Sequence, residues 1–102
     1  MASESLDQLV EKVETWSTDK GLDQSNSHAQ FSKTIEEIGE VASALSRGQK
    51  DLLQDGIGDV VVTLVILAQQ NDMTLKECLQ MAYDEIKGRT GVMKDGIFIK
   101  DE

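Results

Sequence analysis

Between Lys50 and Asn71 the chain runs without a proline, and its middle, Val60-Val61-Val62-Thr63-Leu64-Val65-Ile66-Leu67, is almost wholly apolar. Residues this rich in β-branching suit a buried strand as well as a buried helix. Length decides between them. The uninterrupted segment is much longer than a strand, and nothing elsewhere in the chain would partner a lone central strand. The reading is therefore a helix, fully buried. A helix apolar on every side has no face to give to water, so the rest of the chain must wrap it. Three short neighbouring helices give too little cover. The expected architecture is an all-α four-helix bundle completed by other copies of the chain, a homo-oligomer.

The neighbours can be read from caps and periodicity. Ser3 or Ser5 caps a first helix carrying Leu6, Leu9, Val10, Val13 and Trp16, which fades at Lys20-Gly21. A polar loop, Gly21 to Ser27, leads to a second helix capped by Ser25 or Ser27 and ending at Arg47-Gly48. Its core stripe is Ile35, Ile38, Val41, Ala42 and Leu45, centred at about 200° when Glu36 is the origin of the helical wheel. Gly39, unfavourable in a helix interior, is expected where another backbone comes close. Thr74 opens a fourth helix with Leu75, Cys78, Leu79, Ala82, Tyr83 and Ile86 in register, and Glu77 completes a capping box. Gly88 and Gly91 end it. The tail, Val92 to Glu102, alternates around Ile97-Phe98-Ile99 and reads as extended. At 102 residues the chain is one domain, 1–102.

The chemistry concentrates between Glu36 and Asp59. Residues three or four apart share a helix face, so Glu37 projects with Glu40, and Asp55 with Asp59 one helix later. If these helices pack antiparallel across the short turn, four carboxylates converge. Crowded carboxylates repel, and a hard cation relieves the repulsion. Glu-Glu-x-x-Glu alone would read as a solvated face. The second cluster opens the most hydrophobic helix of the chain, where carboxylates are costly to bury without a cation. His28 is the sole histidine, which excludes a histidine-rich zinc site and a di-iron bundle with paired Glu-x-x-His motifs. Oxygen-only ligands favour Mg2+, with Mn2+ as a substitute. Lys33 and Gln30 extend the Glu37/Glu40 face by one and two turns.

A formal charge of −9 with no run of Lys or Arg excludes nucleic acid and anionic membranes as partners. A free nucleotide remains open if metal offsets the acidic field. The single cysteine, Cys78, forms no internal disulfide and suits a reducing cytoplasm. No signal-like segment starts the chain, and the longest apolar run, Val60 to Ala68, is too short to span a bilayer. Trp16 reads first as core and second as a nucleobase platform. Lys87 and Arg89 read as a helix C-terminus or as phosphate ligands.

These residues resemble the MazG family of nucleoside triphosphate pyrophosphohydrolases, within the all-α NTP pyrophosphatase superfamily. The likeness is especially close to its small single-domain members from mobile elements and phages. Gln30-x-x-Lys33-x-x-Glu36-Glu37-x-x-Glu40 is similar to the family's first acidic helix. Asp55-Gly-Ile-Gly-Asp59 resembles the motif that opens the next, and Ala82 to Gly91 resembles the third block. The family usually reads Glu-x-x-Asp in the second motif, where this chain has Gly56, with Asp55 placed to substitute. In the third block Asp84 stands where Asn is usual.

The resemblance implies a MazG-type bundle that hydrolyses a nucleoside triphosphate, a dNTP in particular, between the α- and β-phosphates to the monophosphate and pyrophosphate. It implies Mg2+ on Glu37, Glu40, Asp59 and Asp55, with Glu36 and Lys33 catalytic. Gln30, Lys33, Trp16, His28, Asp84, Lys87 and Arg89 would bind substrate. The family forms dimers or tetramers with sites between subunits, and the implied role is nucleotide-pool housecleaning. The alternatives are a non-catalytic helical interaction module and a nucleotide binder that has lost turnover.

Overall fold

The computed structural model describes residues 3–101. Four helices follow one another, α1 (Leu6–Asp19), α2 (Ser27–Ser46), α3 (Lys50–Gln70) and α4 (Leu75–Ile86), and a hairpin of β1 (Gly91–Lys94) and β2 (Ile97–Lys100) ends the chain. A 3-10 turn, Leu22–Gln24, links α1 to α2. The class is all-α, as expected, and the long β-branched segment is helical.

Local chemistry sets the helix ends. Ser5 opens α1 with a capping box, in which its Oγ accepts from the Gln8 N–H at 3.1 Å and its own N–H donates to Gln8 Oε1 at 2.7 Å. Asn26, rather than Ser25 or Ser27, caps α2, its Oδ1 accepting from the N–H groups of His28 and Ala29. Asn caps at least as well as Ser, and Ser27 is already the first helical residue. At the other end of α2, Gly48 takes φ +67°. The Gln49 N–H reaches Ala44 O at 3.0 Å and the Gly48 N–H reaches Leu45 O at 3.2 Å, a Schellman ending that reverses the chain directly into α3. Thr74 and Glu77 form the expected box at α4. In the tail, Asp95 and Gly96 have φ of 52° and 78°. Positive φ at both central residues is the tight-hairpin geometry for which Asp-Gly is suited, so the tail pairs with itself in antiparallel register, Val92 opposite Ile99 and Met93 opposite Phe98. Glu102 lies outside the described residues.

The tight turn makes α2 and α3 an antiparallel pair. Gln30 Nε2 donates to Thr63 O at 3.1 Å, and Asn71 Nδ2 donates to Ser27 Oγ at 3.1 Å. At the turn end of the seam, a Cβ on Gly56 would stand 3.0 Å from Val41 Cγ2. The close approach expected at Gly39 is therefore at Gly56, and a Cβ on Gly39 would meet nothing within 4 Å. The C-terminal end of α3 is fastened to α1 and the 3-10 turn, where Gln69 Nε2 donates to Glu14 O and Gln70 Nε2 to Leu22 O.

The α2 face turned to α3 is not the predicted one. Thr34, Glu37 and Ala44 are buried and Val41 is half-buried, whereas Ile35 and Ile38 are 51% and 46% exposed and Leu45 is exposed too. Relative to its apolar stripe the helix is rotated by roughly 80°, at about 100° per residue. Small residues allow the close seam, and the larger apolar side chains are left outside. Nor is α3 fully buried, because Ile57 is 53% exposed and Val61 and Leu64 are exposed as well. In an antiparallel pair these residues lie on the same side as the α2 stripe. One broad face of the α2–α3 pair is thus bare hydrocarbon.

Among the described residues the buried hydrophobic core is only Ala44, Val65, Ile66 and Ala68. The first turns of α4 rest on the end of α3, with Leu75 and Cys78 beside Leu64, Leu67 and Ala68. Beyond them α4 and the hairpin stand away as an arm. The Cα radius of gyration, 16.2 Å, exceeds the roughly 13 Å of a compact domain of about 100 residues.

Candidate functional site

The opposite face of the α2–α3 pair carries the carboxylates. Antiparallel packing and helical spacing place Glu36, Glu37 and Glu40 of α2 on the same side of the seam as Asp55 and Asp59 of α3. Glu37 is the deepest, at 8% exposed. Its Oε1 lies 3.4 Å from Lys33 Nζ, and its Oε2 is buried with no hydrogen-bond partner. Lys33 Nζ also stands 3.8 Å from Glu36 Oε1. Glu36 and Glu40 are solvent-exposed, and Asp59 is half-buried.

The groups perturb one another across the seam. The Glu40 carboxyl is held above the usual glutamate range by the charge of Glu37 and by contact with it, and secondarily by lost hydration. Asp59 is also raised, first by burial, then by the charges of Asp55 on its own helix and Glu37 on the other. Lys33 is raised by its hydrogen bond to Glu37 and by the charges of Glu36 and Glu37. Lys33 counteracts the rise at both Glu40 and Asp59, the one cation to do so among the described residues. Glu40 is thus coupled to Glu37 on one helix and Asp59 to Asp55 on the other, with Glu37 acting on Asp59 across the seam; the expected convergence of all four carboxylates is not seen. Among the described residues no group of three or more His, Cys, Asp or Glu side chains stands in metal-holding geometry. The donor set nonetheless fits a hard cation: all its ligands are oxygens, its carboxyls repel, and the Glu37 Oε2 is buried without a partner.

Other candidates lie elsewhere. Gln30 spends its amide N–H on Thr63 O and so ties the seam. His28 is exposed at the start of α2, and Trp16 is 48% exposed at the end of α1. Asp84 accepts from Gln80 Nε2 at 3.0 Å and Lys87 Nζ at 3.1 Å, and Arg89 lies 3.8 Å from Glu85. These groups, at the C-terminal end of α4 and just beyond it, pair among themselves within one chain. The Val41–Gly56 contact that holds the seam closed was not foreseen. Thr34, Glu37, Val41 and Ala44 recur at alternating spacings of three and four, and that heptad-like pattern was the signal for it.

The fold is thus that of an all-α protein whose two longest helices form an antiparallel pair with one acidic and one apolar face. Residues 25–91, from just before the cap of α2 to the first residue of the hairpin, match the family model of the MazG nucleotide pyrophosphohydrolase domain. The chain belongs to that family. It is also similar to the "Uncharacterized 18.2 kDa protein in rep-hol intergenic region" of Haemophilus phage HP1 (strain HP1c1), 42% identical over 67 residues that make up 65% of this chain and 41% of the phage protein. The chain spans about two-fifths of that relative's length. No solved structure matches it. Among the described residues no helix is long and apolar enough to cross a membrane.

Proposed function

We propose that the chain hydrolyses a nucleoside triphosphate, a dNTP in particular, between its α- and β-phosphates, releasing the monophosphate and pyrophosphate. The observation that carries this reading is the buried, unpartnered Oε2 of Glu37 between two carboxylate-bearing helices, in a chain of the MazG nucleotide pyrophosphohydrolase family. Glu37, Glu40 and Asp59, with Asp55, are the residues to hold Mg2+ or Mn2+. When bound, such an ion supplies charge neutralisation for the phosphates and a more acidic water. Glu36, solvent-exposed beside Lys33, accepts the proton of the attacking water. Lys33, now shared between Glu36 and Glu37, turns to the phosphate oxygens as charge builds on the leaving pyrophosphate. Lys87 and Arg89 sit on a separate arm and reach the phosphates from a second copy. The bare face of the α2–α3 pair makes that copy part of the proposal, as a homo-oligomer.

A second reading, a non-catalytic interaction module, draws on the same apolar face. Phosphate release coupled to inorganic pyrophosphatase, over a panel of dNTPs with Mg2+, separates the two. Turnover that requires both pyrophosphatase and Mg2+ is expected. Binding without turnover would mark a degenerate nucleotide binder, and neither binding nor turnover an interaction module.

A further inference from the structure

The segments outside the family match, α1 before residue 25 and the hairpin after residue 91, have complementary unsatisfied surfaces. The hairpin has two faces. On one, the Phe98 ring lies over Gly91, its Cζ 2.7 Å from where a glycine Cβ would be, so that face partly covers itself. On the other, Val92, Ile97 and Ile99 stand together with Lys94, as the register and the two-residue strand period require. All three apolar residues are about half exposed or more. A two-stranded hairpin with a bare apolar face is marginal on its own in water.

Between α1 and α4 lies an open groove of about 540 Å³ whose lining includes Leu6, Val10, Leu75, Leu79 and Tyr83, the carboxylates of Glu11 and Glu14, and Lys76, which is already paired with Asp7 at 3.3 Å. Among the described residues, neither of these glutamates has an ion-pair partner, and neither has Lys94. The charges match: a cation beside the hydrocarbon on the hairpin, carboxylates beside the hydrocarbon in the groove. The arm that carries the hairpin also starts on the bare side of the α2–α3 pair, where Leu64 meets Leu75 and Cys78. A second copy covering that side would come within reach of the arm.

We infer that the hairpin of one copy seats its Val92–Ile97–Ile99 face in the α1–α4 groove of a second copy, with Lys94 against Glu11 and Glu14. Each copy offers one hairpin and one groove, so the exchange closes on itself in a two-fold pair. The exchange is independent of turnover and needs no nucleotide.

Site-directed cross-linking tests it in the full chain. Two preparations, Leu79→Cys and Ile97→Cys, each also carrying Cys78→Ser, are mixed under mild oxidation. The expected product is a disulfide-linked heterodimer that forms only in the mixture, with yield several-fold lower when the Ile97→Cys chain also carries Lys94→Glu. Yield should recover when the Leu79→Cys chain also carries Glu11→Lys and Glu14→Lys. Circular dichroism checks that every variant stays helical. The inference is overturned if the mixture gives no heterodimer while sedimentation still shows associated chains. It is also overturned if a single chain carrying both cysteines closes its own disulfide as a monomer, or if charge reversal leaves the yield unchanged.

Discussion

The two broad faces of the α2–α3 pair share one backbone and oppose each other in chemistry. One holds Glu36, Glu37, Glu40, Asp55 and Asp59 with Lys33 as their nearby cation. The other holds Phe31, Ile35, Ile38, Leu45, Ile57, Val61 and Leu64, all exposed. Neither is satisfied in a single chain. The acidic face crowds negative charge, as the raised Glu40 carboxyl registers, and the apolar face lacks cover. The difference teaches that one backbone can carry two opposed chemistries, crowded carboxylates on one side and bare hydrocarbon on the other, and that the two faces call for different tests. Small residues along the seam, Thr34, Val41, Ala44, Gly56 and Thr63, keep the faces back to back. A bulkier seam would push the helices apart and let the carboxylate pairs separate.

The largest effect is expected from breaking the acidic face. Glu40→Gln should lower turnover by about a thousandfold, about 4 kcal/mol of barrier, while leaving helicity and assembly unchanged. Coupled phosphate release measures the rate, and a near-normal rate would remove Glu40 from the metal site. Breaking the apolar face should cost slightly less and act on a different observable. Ile38→Asp places a charge where a second copy would cover it, a penalty of about 3 kcal/mol if the charge is buried unpaired. Sedimentation should then show the single-chain mass of 11.2 kDa with helix content retained. If the variant associates as well as the parent, the bare face is not an interface.

A smaller effect follows from pH. Glu40 and Asp59 have raised carboxyl pKa values in the folded chain, so between the ordinary carboxyl range and those raised values the folded state binds more protons than the unfolded one. Stability from these groups therefore falls as pH rises through that window. Without divalent metal, denaturant midpoints should decline as pH rises from the ordinary carboxyl range through those raised values. Glu40→Gln and Asp59→Asn should each flatten the decline, and Mg2+ should restore more stability at pH 7.5 than at pH 5. Parallel slopes in parent and variants would show that these two carboxyls are not the source.

Much of this could be read from residues alone, for definable reasons. Caps and glycine stops are local, so Ser5, Gly48 and the Thr74–Glu77 box announce helix ends whatever the tertiary packing. The acidic residues were placed on common faces by spacing, which the packed pair preserves. What the sequence hid was which face of α2 turns inward. Hydrophobic periodicity identifies the stripe of Ile35, Ile38 and Leu45 as needing cover without saying whose. Within one chain the seam goes to Thr34, Val41 and Ala44, with Glu37 at its acidic edge, because the short Schellman turn and the Gly56 approach require small residues there. The same confusion made α3 look fully buried. Asp95-Gly96 was a legible hairpin signal that alternation alone does not convey, and whether Lys87 and Arg89 meet the carboxylates depends on a second copy that one sequence does not place.

The two glycines give the finest test of the seam between the faces. Gly39 points directly away from α3, and a Cβ there meets nothing within 4 Å. Gly39→Ala should therefore stabilise the chain by about 1 kcal/mol through helix propensity alone. Gly56→Ala has the same propensity gain, but its Cβ would press on Val41 Cγ2 at 3.0 Å, with Val41 Cα and N at 3.8 and 3.9 Å. Overpacking costs of about 1–3 kcal/mol should cancel or reverse the gain. In a Val41→Ala background the obstruction is gone, and Gly56→Ala should again stabilise, so the two substitutions are non-additive by about 1 kcal/mol or more. Urea midpoints of the four chains decide it. If Gly56→Ala stabilises the parent as much as Gly39→Ala does, α2 and α3 are not in close contact at Val41, and the acidic and apolar faces are not held apart by the seam described above.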